Sequence, residues 1–140
     1  MAKIEIRRVG PGDASVLDRV AVDVFDEPIN KKRLAVYLRE PGHLLLVAIC
    51  EGEVVGQARG MIHHHPDMED ELYIDNLGVT PALQRQGVGT RLIKALLAAG
   101  KEQGCTEAWV GTEENNEGAR KLYESLGDSG DLVVFFTYKL

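Results

Sequence analysis

Leu77-Gly78-Val79-Thr80-Pro81-Ala82-Leu83-Gln84-Arg85-Gln86-Gly87-Val88-Gly89-Thr90-Arg91-Leu92-Ile93-Lys94-Ala95-Leu96-Leu97, running on to Gly104, decides how the chain is read. An apolar strand ends near Val79, a Thr80-Pro81 turn follows, and the Gln84 to Gly89 loop opens a helix. Leu92, Ile93, Leu96 and Leu97 recur at helical spacing, with Gly104 as the stop. Glycines at 87 and 89 let a ligand approach the backbone, and first-turn N–H groups have no acceptors inside a helix. Arg85 adds charge at the same place. These residues predict a bound phosphate, although a Gly-x-Gly also serves as a tight turn before a core helix. A dinucleotide fingerprint would need glycine where Leu92 stands, and a nucleotide P-loop needs Gly-Lys-Ser/Thr, for which Lys94 comes too late.

The 140 residues match one domain, 1–140, long enough to bury a core without staples. Forty-four per cent hydrophobic residues and no apolar run near the ~20 that a membrane span needs predict a soluble protein without a membrane partner. The opening Met-Ala-Lys-Ile-Glu-Ile-Arg-Arg alternates and lacks a signal-peptide centre, so the cytoplasm is the expected location. Cys50 and Cys105 form no Cys-x-x-Cys pair and read as two buried thiols. A net charge of −6 argues against a nucleic-acid surface.

Along the chain, Lys3 to Val9 has strand period. Asp13 is a good N-cap for a helix over Ala14 to about Phe25, with Val16, Leu17, Val20, Ala21 and Val24 as its stripe. Asn30 to Arg39 reads as a second helix, with Leu34, Tyr37 and Leu38 inward. His43 to Cys50 is a strand covered on both faces, Glu51-Gly52-Glu53 a hairpin turn, and Val54 to about Ile62 the next strand. After the polar residues His63 to Asp70 comes a strand from Glu71 to Val79. Beyond the central helix follow a strand Thr106 to Thr112, a helix Glu117 to Leu126 stopped by Gly127, and a last strand Leu132 to Tyr138. Hairpins with interspersed helices indicate an α/β fold with a mixed, mostly antiparallel central sheet flanked by helices.

Gln84-x-x-Gly87-x-Gly89, preceded by Leu77-Gly78-Val79 and Pro81, resembles the pyrophosphate-binding motif of the GNAT N-acetyltransferase superfamily. The family's Gln/Arg-x-x-Gly-x-Gly/Ala loop holds the pyrophosphate of acetyl-CoA, and the order of elements is similar to its fold over almost the whole chain. Asn116-x-x-Ala119-x-x-Leu122-Tyr123 resembles the family's helix beside the thioester. The family's usual Gly-Phe is replaced after that helix by Gly127-Asp128-Ser129-Gly130. The resemblance implies acetyl-CoA as co-substrate, held by Leu77, Gly78, Val79, Gln84, Arg85, Gln86, Gly87, Val88, Gly89, Thr90, Asn116, Ala119 and Tyr123.

The chemistry needs an amine stripped of its proton, attack on the thioester and protonation of the thiolate. Tyr123, about two turns into its helix, either is a half-buried aromatic or, as the resemblance implies, protonates the leaving sulfur. On Glu71 to Val79, Glu71, Tyr73 and Asp75 share one face and Leu72 and Ile74 the other. Strict alternation puts Leu77 and Val79 with Glu71, although the family commonly bulges here. A bulge would free an N–H near Leu77 as an oxyanion donor and splay the strand from its Trp109 neighbour. Glu71 or Asp75, directly or through water, is the candidate base; both are otherwise solvated strand charges. Glu71, Tyr73, Asp75 and Glu113 are the expected acceptor-binding residues.

His63-His64-His65 lacks a cysteine or carboxylate partner at metal-ligand spacing, so no metal is expected; these residues line the acceptor mouth or are solvated. Asp67, Glu69, Asp70 and Glu71, with Glu113 and Glu114, form an acidic rim that favours a cationic small-molecule amine, such as an aminoglycoside or polyamine. Gly10-Pro11, Val24-Phe25 and Glu71-x-Tyr73-Ile74-x-x-Leu77-x-Val79 resemble the aminoglycoside 3-N-acetyltransferase branch, which places its acid one position after Asp75. Acetylation of protein or peptide amines, a CoA-binding regulatory module without turnover, and an interaction protein that binds no CoA are the alternatives. A homodimer is also compatible with the sequence.

Overall fold

Alternation at the N-terminus produces strand β1 (Ile4–Arg8), and the apolar run after Gly42 produces β2 (His43–Cys50). The computed structural model describes residues 2–127 and 129–140, which group into two units, Met1–Val110 and Gly111–Leu140. The first holds helix α1 (Lys31–Arg39), strands β3 (Glu53–His63) and β4 (Glu71–Val79), helix α2 (Val88–Glu102) and strand β5 (Glu107–Val110). The sheet order is β1-β2-β3-β4-β5, antiparallel except for the parallel β4–β5 pair that α2 connects. This is the expected mixed, mostly antiparallel α/β sheet, with the β2–β3 hairpin turning through Glu51 and Gly52 at positive φ.

Each sheet face is covered by a different layer. Leu92 and Leu96 of α2 lie against β3 at Gly56 and Gly60, and Gly100 brings α2 against Leu72 of β4. The opposite face buries Val9, Leu17, Val24, Leu38, Leu45, Val47 and Val54 together, with Leu34 and Tyr37 packed against them. Asn30 caps α1 by accepting from the Arg33 N–H at 3.0 Å, which sets where that helix begins.

The helix expected over Ala14 to Phe25 is not formed; only Ala14–Asp18 makes a short 3-10 turn. The Asp13 carboxylate is occupied elsewhere, accepting from the Gly10 N–H at 2.9 Å and from Arg7 at 3.3 Å, so it caps nothing. Four valines between 16 and 24 also disfavour helix. Instead, Val20 bridges Val54, with the Ala21 N–H donating to Val54 O at 2.8 Å and the Val54 N–H to Arg19 O at 2.9 Å. The apolar residues of the expected stripe still face the core, carried there by the 3-10 turn and the irregular chain after it.

The second unit contains helix α3 (Glu117–Leu126), with the expected bounds. The strand expected over Leu132 to Tyr138 is absent: residues 129–140 form no ladder, and Leu132, Val133, Val134, Phe135 and Phe136 are 65–79% exposed. Apolar β-formers do not make a strand unless a neighbour takes their N–H and C=O groups. Gly127 has extended backbone at φ −171° rather than a left-handed stop. Asp128, in the departure from the family's Gly-Phe, lies outside the described residues.

Gln57 joins the layers on the α1 face. It is fully buried, and its Nε2 donates to Val24 O at 3.1 Å and to Asn76 Oδ1 at 2.6 Å. The residue-24 backbone presses so closely on β4 that a Cβ at Gly78 would sit 2.2 Å from Val24 O. Backbone cannot yield as a flexible side chain does. Gly78→Ala should therefore destabilise the fold by about 1–3 kcal/mol, the usual cost of overpacking. Urea denaturation would read this as a lower midpoint at unchanged slope; an unshifted midpoint would show that the segment moves aside freely.

Candidate active site

β4 carries the site because its phase changes midway. The β3–β4 register steps from Arg59↔Asn76 to Gly60↔Ile74, leaving Asp75 as a bulge. Leu72 is on the α2 face before it. After it Gly78 faces Val24 and Val79 faces Leu92, so Leu77 and Val79 return to the α2 face instead of joining Glu71. The bulge expected near Leu77 is thus centred two residues earlier. The parallel ladder with β5 ends at Ile74↔Val110 while β4 continues to Val79. Residues 75–79 therefore have no β5 partner, and in that stretch Val79 O accepts from Gln84 Nε2 instead.

β4 runs through a 3-10 turn at Pro81–Leu83 into the loop. Arg85 and Gly87 have positive φ, 65° and 82°. Gly87 has no side chain to cap α2, and the Arg91 N–H is the one that bonds to Gly87 O, at 3.1 Å. The N–H groups of Val88, Gly89 and Thr90 consequently have no acceptor within the helix, as an anion site requires. A Cβ at Gly87 would meet no protein atom within 4 Å, so there is open space over the loop. Gln84 and Gln86 turn inward to brace it, donating to Val79 O at 3.0 Å and to Ala82 O at 3.3 Å. The donor set fits a pyrophosphate, with backbone amides supplying hydrogen bonds and exposed Arg85 supplying charge.

Two of the six acidic rim residues have a histidine partner. Glu71 Oε1 is 2.6 Å from His65 Nε2, and Asp70 Oδ1 is 2.9 Å from His64 Nδ1. The histidines thus tie the β3–β4 loop to β4's start, and among the described residues no group of three or more His, Cys, Asp and Glu is arranged around a metal. Tyr73 stacks on Trp109 with ring centroids 4.4 Å apart. Glu71 and Tyr73 lie in the stretch paired with β5, whereas Asp75 lies where that pairing has ended. Glu71 is four residues from the bulge, roughly 13 Å along a strand.

A residue that the sequence reading passed over joins Asp75 to a cavity. Arg59 Nε lies 3.9 Å from Asp75 Oδ2, and the Arg59 guanidinium sits 5.9 Å above the Phe25 ring. A cavity of about 300 Å³ opens beside it, walled by Leu17, Phe25, Leu34, Tyr37 and Leu45, with Asp26 and Glu27 also lining it. Tyr37 donates to Leu44 O at 3.3 Å. Burial pushes its phenol up to about 12, with Arg59 opposing and Asp75 reinforcing that shift, so it stays a neutral wall. Gln57 and Arg59 alternate through a strand otherwise rich in glycine and alanine, a pattern that could have singled them out.

In the second unit Asn116 Oδ1 accepts from the Ala119 N–H at 3.1 Å and caps α3. Tyr123 is half-buried, and burial raises its phenol above the ordinary value, keeping it protonated. Glu113 is exposed. Both cysteines are free; Cys105 is buried, but Cys50 is only half-buried rather than enclosed as expected.

Residues 15–128 match the sequence pattern of the acetyltransferase (GNAT) family. N-alpha-acetyltransferase 30 of Xenopus laevis is 32% identical over 114 residues, covering 81% of this chain and 42% of that protein. The Homo sapiens protein of that name is 31% identical over 120 residues, 86% of this chain and 33% of that one, so the chain spans less than half of these relatives. Among solved structures, an aminoglycoside acetyltransferase, meta-AAC0020, from an uncultured soil metagenomic sample matches with a TM-score of 0.85 at 25% identity, covering 98% of this chain and 96% of that one. Aminoglycoside N-acetyltransferase AAC(6')-Iy in complex with CoA shares the fold, with a TM-score of 0.75 at 18% identity over 100% and 97% of the two chains. The bulged β4, the uncapped loop and helix after it, and a match over most of its length agree: the chain belongs to the acetyltransferase (GNAT) family.

Proposed function

We propose that the protein transfers the acetyl group of acetyl-CoA to a primary amine by direct attack in a ternary complex. One observation carries this reading: β4 loses its β5 partner at the Asp75 bulge and leads directly into a loop whose helix has unclaimed first-turn N–H groups. Acetyl-CoA would lay its pyrophosphate on residues 84–90 and its pantetheine along the free edge of residues 76–79. An N–H near Leu77 would polarise the thioester carbonyl. Asp75, at the bulge and beside the cavity, is the better supported base, directly or through water, because Glu71 is already paired with His65. As the amine nitrogen bonds to the acetyl carbon, the C–S bond breaks. Tyr123 would supply the thiolate's proton.

Asp26 and Glu27 at the cavity, with Asp67 and Glu69 on the loop, support a cationic acceptor such as an aminoglycoside or polyamine. That support is thinner than the sequence suggests, since His64, His65 and Arg59 already face Asp70, Glu71 and Asp75. A thiol-release screen across amines, peptides included, tests the activity itself. CoA binding without thiol release from any amine would favour the regulatory module instead.

Three outcomes are expected. Gly87→Val places a β-branched residue at φ 82° and a side chain over the amide cradle. It should abolish acetyl-CoA binding by calorimetry while circular dichroism stays native, and undiminished affinity would remove the anion site. Tyr123→Phe should lower turnover by about 10²–10⁴-fold with little change in cofactor affinity; a variant within about twofold of wild type would make Tyr123 a packing residue. The exposed Leu132 to Phe136 run supports a homodimer. Sedimentation should give a dimer mass that Phe135→Asp reduces to the monomer's, and a monomeric wild type would end that idea.

A further inference from the structure

The cavity beside the β4 bulge has a chemistry that a polycationic acceptor does not match. Its volume of about 300 Å³ is at the lower end of the ~300–1,000 Å³ typical of small-molecule sites. Most of its walls are hydrocarbon or aromatic: Leu17, Phe25, Leu34, Tyr37 and Leu45. Its charged lining is balanced, with Arg33 and Arg59 against Asp26 and Glu27. Asp26 and Glu27 could each meet one ammonium group, but further ammonium groups would face apolar walls and two guanidiniums and lose water without a matching carboxylate.

Arg59 supplies the second observation. Its Nε is buried and has no hydrogen-bond partner among the described residues. At 3.9 Å the Asp75 oxygen is close enough for charge attraction and too far for a hydrogen bond. The Arg59 side chain is 30% exposed and lines the cavity, so an arriving oxygen would meet the terminal guanidinium N–H groups rather than the enclosed Nε. The guanidinium is held over the Phe25 ring, and Tyr37 feels both Arg59 and Asp75. A cation that lines the cavity, with the Asp75 carboxylate 3.9 Å from its Nε, is complementary to a molecule with an ammonium and a carboxylate on one carbon and an apolar substituent.

We propose that the acceptor is an apolar α-amino acid. Its carboxylate accepts from the Arg59 guanidinium, its α-amine lies beside Asp75, and its side chain fills the cavity between Phe25 and Leu34. The proposal rests on the acetyl-transfer reading and narrows its amine from a polycation to a zwitterion. In the transfer, the α-nitrogen bonds to the acetyl carbon as the C–S bond breaks. Two protons leave the ammonium; one equivalent ends on the thiol of CoA and the other in solvent, passing through Asp75 or its water. Arg59 is a specificity-determining residue, because the carboxylate that it reads is not required by the chemical step.

The test measures thiol release from acetyl-CoA with leucine, leucinamide, a leucyl peptide, 3-methylbutylamine (the leucine skeleton without its carboxylate) and spermidine. Leucine should exceed 3-methylbutylamine in kcat/KM by roughly 10-fold or more, the scale of a charged hydrogen bond. Arg59→Met should collapse that ratio towards one, mainly through the KM for leucine, in a protein with a native circular dichroism spectrum. Arg59→Lys, which keeps the charge and loses Nε, should recover only part of it. Equal rates for leucine and 3-methylbutylamine, or preference for spermidine, the amide or the peptide, would overturn the amino-acid acceptor and leave acetyl transfer standing. Thiol release from no amine, with acetyl-CoA binding intact, would overturn both.

Discussion

One buried amide holds the functional half of the molecule in register. Gln57 Nε2 has two hydrogens and spends both, on Val24 O and on the Asn76 side chain. A neutral amide is far less costly to bury than a charge, and the two hydrogen bonds satisfy its Nε2, while its Oε1 is buried without a partner among the described residues. The contact draws the irregular segment after the 3-10 turn onto the sheet, and Gly78 permits the approach because it has no Cβ. Without this clamp, Phe25 would not lie under Arg59, and the cavity wall would have no support.

The same place on β4 separates two jobs of one strand. Before Asp75 the strand is structural, paired with β3 on one side and β5 on the other. Beyond the bulge it keeps β3 but has lost β5, so an edge of backbone donors and acceptors is available. The chain then enters α2 at once, which sets an uncapped helix N-terminus at the carboxyl end of that edge, the position where open α/β sheets characteristically receive ligands. The parallel β4–β5 pair requires a crossover helix between its strands, so the sheet topology and the anion site have a single cause.

Local chemistry made several elements legible. Asn30 marked the start of α1 because its side chain caps the third N–H after it, and the leucine spacing after Gly89 marked α2 because one face had to be buried. The start of α2 was legible because two glycines and a basic side chain stand directly before an apolar stripe at helical spacing. The stretch from Ala14 to Phe25 misled because Val16, Leu17, Val20 and Val24 reach the core equally well from a 3-10 turn and irregular chain; periodicity could not reveal that Asp13 bonds backwards to Gly10. The Leu132 to Tyr138 run showed strand propensity, but no propensity names a partner. Histidines from the preceding loop face Asp70 and Glu71, a pairing that the charge pattern by itself did not reveal.

The sequence by itself determined the α/β class and the helix that follows the Gln84 to Gly89 loop. These depend on interactions within a few residues along the chain: caps, periodicity and free first-turn N–H groups. The tertiary structure alone decided where the β4 bulge falls, which carboxylate is left beside a cavity, and that Arg59, Phe25 and Asp75 form one neighbourhood. Those facts depend on the pairing of β3 with β4 and on a segment some fifty residues earlier in the chain packing over Asp75. Register shifts and long-range contacts are set by how whole faces are buried against each other, and no local pattern encodes them.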